Sequence, residues 1–308
     1  MTLRISLIGR GAWGSTLERL WNQRGHSLRS WSRRDGGSPR PLLEDCDLVV
    51  AAVSMAAVLP VCRELAPHWP EGLPLLSCSK GIDPDGLCTA SQLWQRELGD
   101  PPLAVLSGPN LADELSRGLP AASVIASGSA ALAGRLQEEL RTPNLRLYTN
   151  TDPIGTEAAG ALKNVIALAA GISDGLGLGA NARASLLCRG LAEIGVVLEA
   201  MGGQSATLYG LAGLGDLLAT ATSSLSRNQR FGTLLAEGLS EAEALARIGA
   251  TVEGPRTARA TLSLAEGLGL RLPICDQVVR LLDRRIDAPG AVRALMERDP
   301  RPEHNHGL

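Results

Sequence analysis

Gly9-Arg10-Gly11-Ala12-Trp13-Gly14 is the stretch on which the fold of this chain turns. It follows the apolar run Ile5-Ser6-Leu7-Ile8 and opens the segment Trp13 to Arg24, where apolar residues at 13, 17, 20 and 21 keep helical spacing. A G-x-G-x-x-G pattern between a strand and a helix works through its backbone. The first glycine allows a tight turn, the second lets a pyrophosphate approach the main chain, and the third lets helix and strand pack closely. The helix N-terminus behind them offers free N–H groups and a positive dipole end to an anion. A glycine triplet alone is weak evidence. In this strand–turn–helix setting it reads as a dinucleotide site.

Working outward, Gly25 stands where a helix C-terminus needs it, and Ser27 to Ser32 reads as a second strand. Further strands are expected at Asp47–Val53, Leu75–Cys78, Leu103–Leu106, Ser123–Ala126 and Leu145–Tyr148. Strands separated by helical patterns predict an α/β fold, a Rossmann-type doubly wound sheet that is mostly parallel and covered on both faces. Beyond Thr151 the pattern changes to Ala/Leu/Gly-rich helices, at 153–171, 181–201, 205–220, 227–237, 240–248, 254–268, 274–285 and near 288–298. The chain therefore divides into a dinucleotide-binding domain, 1–150, and an all-α domain, 151–308, with Asp152 expected to cap the first helix and Pro153 in its first turn. No fixed-period repeat is present, and the tail 301–306 is expected to fray.

Composition removes several functions. A net charge of -2 over 308 residues gives no long-range attraction to nucleic acid or anionic lipid, so a phosphorylated ligand must be drawn by a local cluster. One Phe and two Tyr argue against a base-stacking platform. The cysteines at 46, 62, 78, 88, 188 and 275 form no Cys-x-x-Cys pair and no zinc-spaced set, which predicts reduced thiols and no metal site. Met1-Thr2-Leu3-Arg4 runs straight into a strand without a leader pattern, and the apolar stretch 158–172 is too short and too polar to span a bilayer. A cytoplasmic protein is expected.

The chemistry rests on few residues. NAD sites usually carry Asp or Glu about 20 residues past the glycines, to bond the ribose 2′-hydroxyl. Here Ser30-Trp31-Ser32 leads to Arg33 and Arg34, two guanidiniums suited to a 2′-phosphate, so NADP(H) is the expected cofactor, with NAD(H) as the second choice. The chain has four histidines, all read as surface residues, so another residue type must handle protons. Lys163 and Asn164 are the polar residues of an otherwise apolar helix, and a desolvated lysine trades protons near neutrality. The alternative is a lysine that reaches the surface along that helix. Lys80, the only other lysine, follows a buried strand at the edge where ligands bind in doubly wound sheets, and Ser107-Gly108-Pro109-Asn110 ends the next strand on that edge. Ser226-Arg227-Asn228, ahead of a helix, has the donors that a phosphate needs, although an N-capped helix with a surface arginine explains it equally well.

With these residues in place the chain resembles the bacterial NAD(P)-dependent glycerol-3-phosphate dehydrogenases over essentially its whole length. The resemblance is carried by Gly9 to Gly14, Ser79-Lys80-Gly81, Ser107-Gly108-Pro109, Ala161 to Ala167, Gly177 to Asn181, Gly213 to Leu217, Ser226-Arg227-Asn228 and Val252-Glu253-Gly254. It implies reduction of dihydroxyacetone phosphate to glycerol 3-phosphate, a precursor of phospholipids. Lys163 is then the proton donor, Lys80 its electrostatic partner, and Asp216 the residue that holds Lys163 and substrate. Ser226, Arg227, Asn228, Asn164 and the Gly108 backbone would bind substrate, with Asn110 and Ala112 in the loop that closes over it. Gly9, Gly11, Ala12, Trp13, Gly14, Arg33, Arg34, Lys80, Ala112, Arg227 and Glu253 match cofactor positions. Two departures stand out: Asp35 to Glu44 is short, and Asn110 replaces a small hydroxyl residue. Expected partners are a small phosphorylated substrate and a second copy of the chain, without nucleic acid or membrane insertion. The rival readings are a β-hydroxyacid dehydrogenase, whose substrate is a carboxylate, and a non-catalytic NADPH sensor.

Overall fold

The computed structural model describes residues 2–299 and Pro302; the rest of the tail expected to fray lies outside the described residues. Seven strands are found among them: β1 (Arg4–Ile8), β2 (Ser27–Trp31), β3 (Leu48–Ala51), β4 (Leu75–Ser77), β5 (Leu103–Ser107), β6 (Ala121–Ala126) and β7 (Leu145–Asn150). Each lies within two residues of its expected ends. They form one sheet in the order β2-β1-β3-β4-β5-β6-β7. From β2 to β5 all neighbours are parallel, while β6 runs antiparallel to β5 and β7 parallel to β6.

The helices of this half are α1 (Ala12–Gln23), α2 (Met55–Leu65), α3 (Ala90–Leu98), α4 (Ala112–Ser116) and α5 (Ala130–Leu140). Side chains alternate across a strand, and the apolar runs fill both faces. Ile5, Leu7, Leu48, Val50 and Leu76 pack with Leu17 and Trp21 of α1 and Leu136 of α5. Ile8, Val49, Ala51, Leu75 and Val105 pack on the other face with Val58 and Cys62 of α2 and Leu93 and Trp94 of α3. His26 departs from its expected surface position and is buried. Its Nδ1 accepts from the Leu3 N–H at 3.0 Å and its Nε2 donates to the Glu139 carbonyl at 2.8 Å, which ties the start of β2 to α5.

The second half holds α6 (Pro153–Gly175), α7 (Gly179–Ala200), α8 (Ser205–Leu208), α9 (Asp216–Ala221), α10 (Arg227–Ala236), α11 (Glu241–Ile248), α12 (Gly254–Leu268), α13 (Pro273–Leu282) and α14 (Ala288–Met296). Asp152 caps α6 as its sequence suggests, Oδ1 accepting from the Gly155 N–H at 2.8 Å. The helix α6 is buried from Gly155 to Ser173, which explains its apolar composition all round. It crosses α10 almost backbone to backbone. A Cβ on Gly171 would fall 1.9 Å from the Gln229 carbonyl oxygen, and one on Gly232 2.0 Å from that of Leu168. One helix was expected over 205–220, and here the structure differs. A wider π-helical turn, Leu211–Gly215, separates α8 from α9, with Gly213 placed where a Cβ would lie 2.1 Å from the Leu208 oxygen.

The halves are joined through α6. Glu157, 2 % exposed, accepts from the backbone N–H of Ser91 at 3.0 Å and from its hydroxyl, at the first turn of α3. Among the described residues no helix is long and apolar enough to cross a membrane.

Candidate active site

The carboxyl ends of β4 and β5 face the middle of α6, and the polar residues converge there. Lys80, just past β4, lies over Gly160 of α6, where a Cβ would press 2.7 Å from the Ser107 hydroxyl and 3.7 Å from the Lys80 chain. Its Nζ donates to the Gly108 carbonyl at 3.2 Å and to Asp216 Oδ2 at 2.6 Å. Lys163, one turn further along α6, donates to Asp216 Oδ1 at 2.8 Å and to the Thr220 hydroxyl at 2.6 Å. Asp216 thus takes one lysine on each oxygen.

Electrostatics follow from burial. Lys163 is 7 % exposed, so the idea that it reaches solvent along the helix does not hold. Desolvation, helped by the Lys80 and Arg227 charges and opposed by the pull of Asp216, brings its ammonium down to about 8. Burial alone would raise the Asp216 carboxyl. The charges of Lys163 and Lys80, with their hydrogen bonds, outweigh that and hold it below the usual carboxylate value. The site therefore keeps an ionised carboxylate between two cations, one of which can lose its proton near neutrality.

Thr220 is the member that sequence reasoning missed. It stands four residues after Asp216 on α9, the helical spacing that puts two side chains on one face, and its hydroxyl also reaches Asp216 Oδ1 at 3.2 Å. Next to this cluster, the Asn228 side chain donates to Asn164 Oδ1 at 2.9 Å and accepts from the Gly254 N–H at 2.9 Å, which links α10, α6 and α12. Ser226 caps α10, its Oγ accepting from the Gln229 N–H at 3.2 Å. Arg227 is exposed at the first position of that helix, near enough for its charge to act on both Lys163 and Glu253. The cap reading of this segment is met by Ser226, with Arg227 exposed beside it.

The glycine turn fits a pyrophosphate. Gly9 has φ +105° and a Cβ there would strike the Ala52 oxygen at 2.4 Å, while one on Gly14 would lie 1.9 Å from the Gly9 oxygen. A Cβ on Gly11 would meet nothing within 4 Å, and no side chain caps the first turn of α1. Its amides are left open to an anion. Trp13 is half-buried, its indole beside the Cys78 thiol. Arg33 and Arg34 are exposed in a short 3-10 turn after β2. Glu253 accepts from the Met55 N–H at the start of α2, and burial raises its carboxyl. In the loop after β5, Asn110 accepts from the Ser123 hydroxyl at 2.7 Å, and the Ala112 carbonyl accepts from Thr16 of α1 at 3.3 Å. The expected residues fall in two groups, one at the lysine–aspartate cluster and one at the glycine turn. A cavity of about 780 Å³ between α6, α7, α13 and α14 shares no residue with either, so chemistry and not volume locates the site.

A glycine turn on a largely parallel sheet, with a buried proton-trading lysine facing its carboxyl edge, defines a dinucleotide-dependent oxidoreductase. Comparison with known proteins narrows the class. Models of the N-terminus and the C-terminus of NAD-dependent glycerol-3-phosphate dehydrogenase match residues 38–133 and 152–293. A glycerol-3-phosphate dehydrogenase (NAD(P)+) of Synechococcus sp. (strain RCC307) is 50 % identical over 98 % of this chain and 100 % of the relative. One from Synechocystis sp. is 45 % identical over 97 % of this chain and 95 % of its own. The crystal structure of glycerol-3-phosphate dehydrogenase from Coxiella burnetii superposes with TM-score 0.91 at 34 % identity, covering 96 % of this chain and 99 % of that one. The chain belongs to the NAD-dependent glycerol-3-phosphate dehydrogenase family.

Proposed function

We propose that this enzyme reduces dihydroxyacetone phosphate to sn-glycerol 3-phosphate, reversibly, with NADPH preferred and NADH accepted. The product is the backbone precursor of glycerophospholipids. The observation that carries the reading is Asp216 bridging Lys163 and Lys80 at the carboxyl edge of the sheet. The reduced nicotinamide, when bound, supplies hydride to the ketone carbon. Lys163 Nζ gives the proton to the carbonyl oxygen, and the Lys80 ammonium offsets negative charge on that oxygen as it develops. Asp216 stays ionised, aims both amines and contacts the substrate hydroxyl.

The substrate phosphate is held by Arg227 and Asn228, with Ser226, Asn164 and the Gly108 backbone beside them; Asn110 contributes from the closing loop. Gly9, Gly11, Ala12, Trp13 and Gly14 hold the dinucleotide, Arg33 and Arg34 its 2′-phosphate, and Lys80, Ala112, Arg227 and Glu253 complete its contacts. The same proposal divides the chain into a dinucleotide-binding domain, 1–150, and a helical substrate-binding domain, 151–308. It places the enzyme in the cytoplasm with a second copy of itself as partner. A net charge of -2 supports the absence of a nucleic-acid role.

The test is Lys163→Ala. NADPH binding should stay near that of the parent while turnover falls by ~10²–10⁴, the usual contribution of a positioned acid. Near-normal turnover would remove Lys163 from the chemistry.

A further inference from the structure

The first variable position of the glycine turn is an arginine. The Arg10 guanidinium leaves the turn toward the end of β2, where Nη1 lies 3.4 Å from Asp35 Oδ1 and Nε 4.0 Å from Glu18 Oε2. Each carboxylate has a second anchor. Asp35 Oδ2 accepts from the Ser32 N–H at 2.8 Å and the Ser32 hydroxyl at 3.0 Å. Glu18 Oε1 accepts from the Ser30 hydroxyl at 2.6 Å. Arg33 and Arg34 belong to the same short turn as Asp35. The corner beside the glycine turn therefore gathers three guanidiniums and two carboxylates, at the level where a bound dinucleotide presents its adenine ribose.

We propose that Arg10 is a specificity-determining residue, the third cation for a 2′-phosphate and the charge that keeps Asp35 and Glu18 from repelling it. The inference rests on the reading that NADPH is the preferred cofactor. The Arg10–Asp35 contact is longer than the roughly 2.7–2.9 Å of a strong charge-assisted bond. Its two side chains are 46 % and 42 % exposed, so the pair is weak and exchanges at little cost. A phosphate dianion offers the guanidinium a bidentate partner in place of Asp35. Asp35 keeps its position because Ser32 holds it. Without Arg10, the phosphate would face two uncompensated carboxylates, whereas a free 2′-hydroxyl could donate to either. Loss of Arg10 therefore acts on discrimination more than on binding as such.

Calorimetric titration of the full-length protein with 2′,5′-ADP and with 5′-AMP separates the two effects. Arg10→Ala should weaken 2′,5′-ADP by about tenfold or more, the scale of one charge-assisted bond, and leave 5′-AMP within about twofold. Glu18→Gln keeps the bond to Ser30 and should tighten 2′,5′-ADP. Equal losses for both ligands, or no loss, in Arg10→Ala overturn the inference. The double variant Arg33→Ala/Arg34→Ala distinguishes the failures. If it leaves the ligand ratio unchanged, the NADPH reading fails; if it abolishes the ratio while Arg10→Ala does not, only the part given to Arg10 fails. Matching thermal melts with the parent establish that each variant is folded.

Discussion

At the scale of the residue, one carboxylate organises the buried polar cluster. Asp216 is 1 % exposed and its two oxygens are each taken by a lysine. A Lys163 pKa of about 8 leaves the group mostly protonated at neutral pH, as the proposed donor role requires, and mostly neutral only once the pH exceeds that pKa. Reduction of the ketone should therefore fall as pH rises through that value, while oxidation of the alcohol gains. Lys80 is one of the charges that press the Lys163 pKa down. In Lys80→Ala the alkaline limb of turnover against pH should move upward, even though turnover itself drops. A limb that stays in place would mean that another group titrates. Lys163, Asn164 and Lys80 were legible in the sequence because a charge in an apolar helix, in a chain with two lysines, has few explanations. Thr220 was not. A threonine four residues after an aspartate is ordinary, and its importance comes from a lysine 57 positions away.

At the scale of the element, the same physics explains both what was legible and what was not. Inner strands such as β3, β4 and β5 are buried on both faces and leave apolar runs, whereas the edge strands β2 and β7 carry exposed residues and show less plainly in the sequence. Strand direction does not show at all, because β6 has the same composition whichever way it runs, and only its pairing of Ser107 with Val124 and Val105 with Ala126 fixes the reversal. The π turn before α9 was read as helix for a similar reason: the collision that demands Gly213 involves the backbone of Leu208, a contact no side-chain pattern records. The crossing of α6 and α10 yields a prediction. Gly171→Ala would force a methyl against the Gln229 carbonyl, and overpacking of this kind costs about 1–3 kcal/mol. The melting temperature should fall. Because the separated helices carry Asn164 and Asn228, KM for the phosphorylated substrate should rise more than kcat drops.

At the scale of the whole molecule, two carboxylates from the helical half serve helices of the sheet half, Glu157 at α3 and Glu253 at α2. Burial pushes the Glu157 carboxyl up to about 7, above its unfolded value near 4.5. The folded chain then binds a proton that the unfolded chain has released, so this group stabilises the fold below that lower value and the contribution is lost as pH rises toward 7. Glu157→Gln should flatten the decline in denaturant stability across that window, by up to about 3 kcal/mol for a shift of this size. An unchanged slope would show the carboxyl to be ionised throughout. The reversed pair β6–β7 has a further consequence for reach. Its exit at Asn150 lies level with Ala126 and hence with Val105, which pairs with Ser77 at the end of β4, so α6 sets out from the level of that strand's last residue, three short of Lys80. Lys163 comes ten residues after Pro153, about 15 Å along the axis at 1.5 Å per residue. With β7 pointing the other way, the same helix would leave level with Ala121, about 16 Å along the strand at roughly 3.3 Å per residue, and its amine would be carried that far from Asp216.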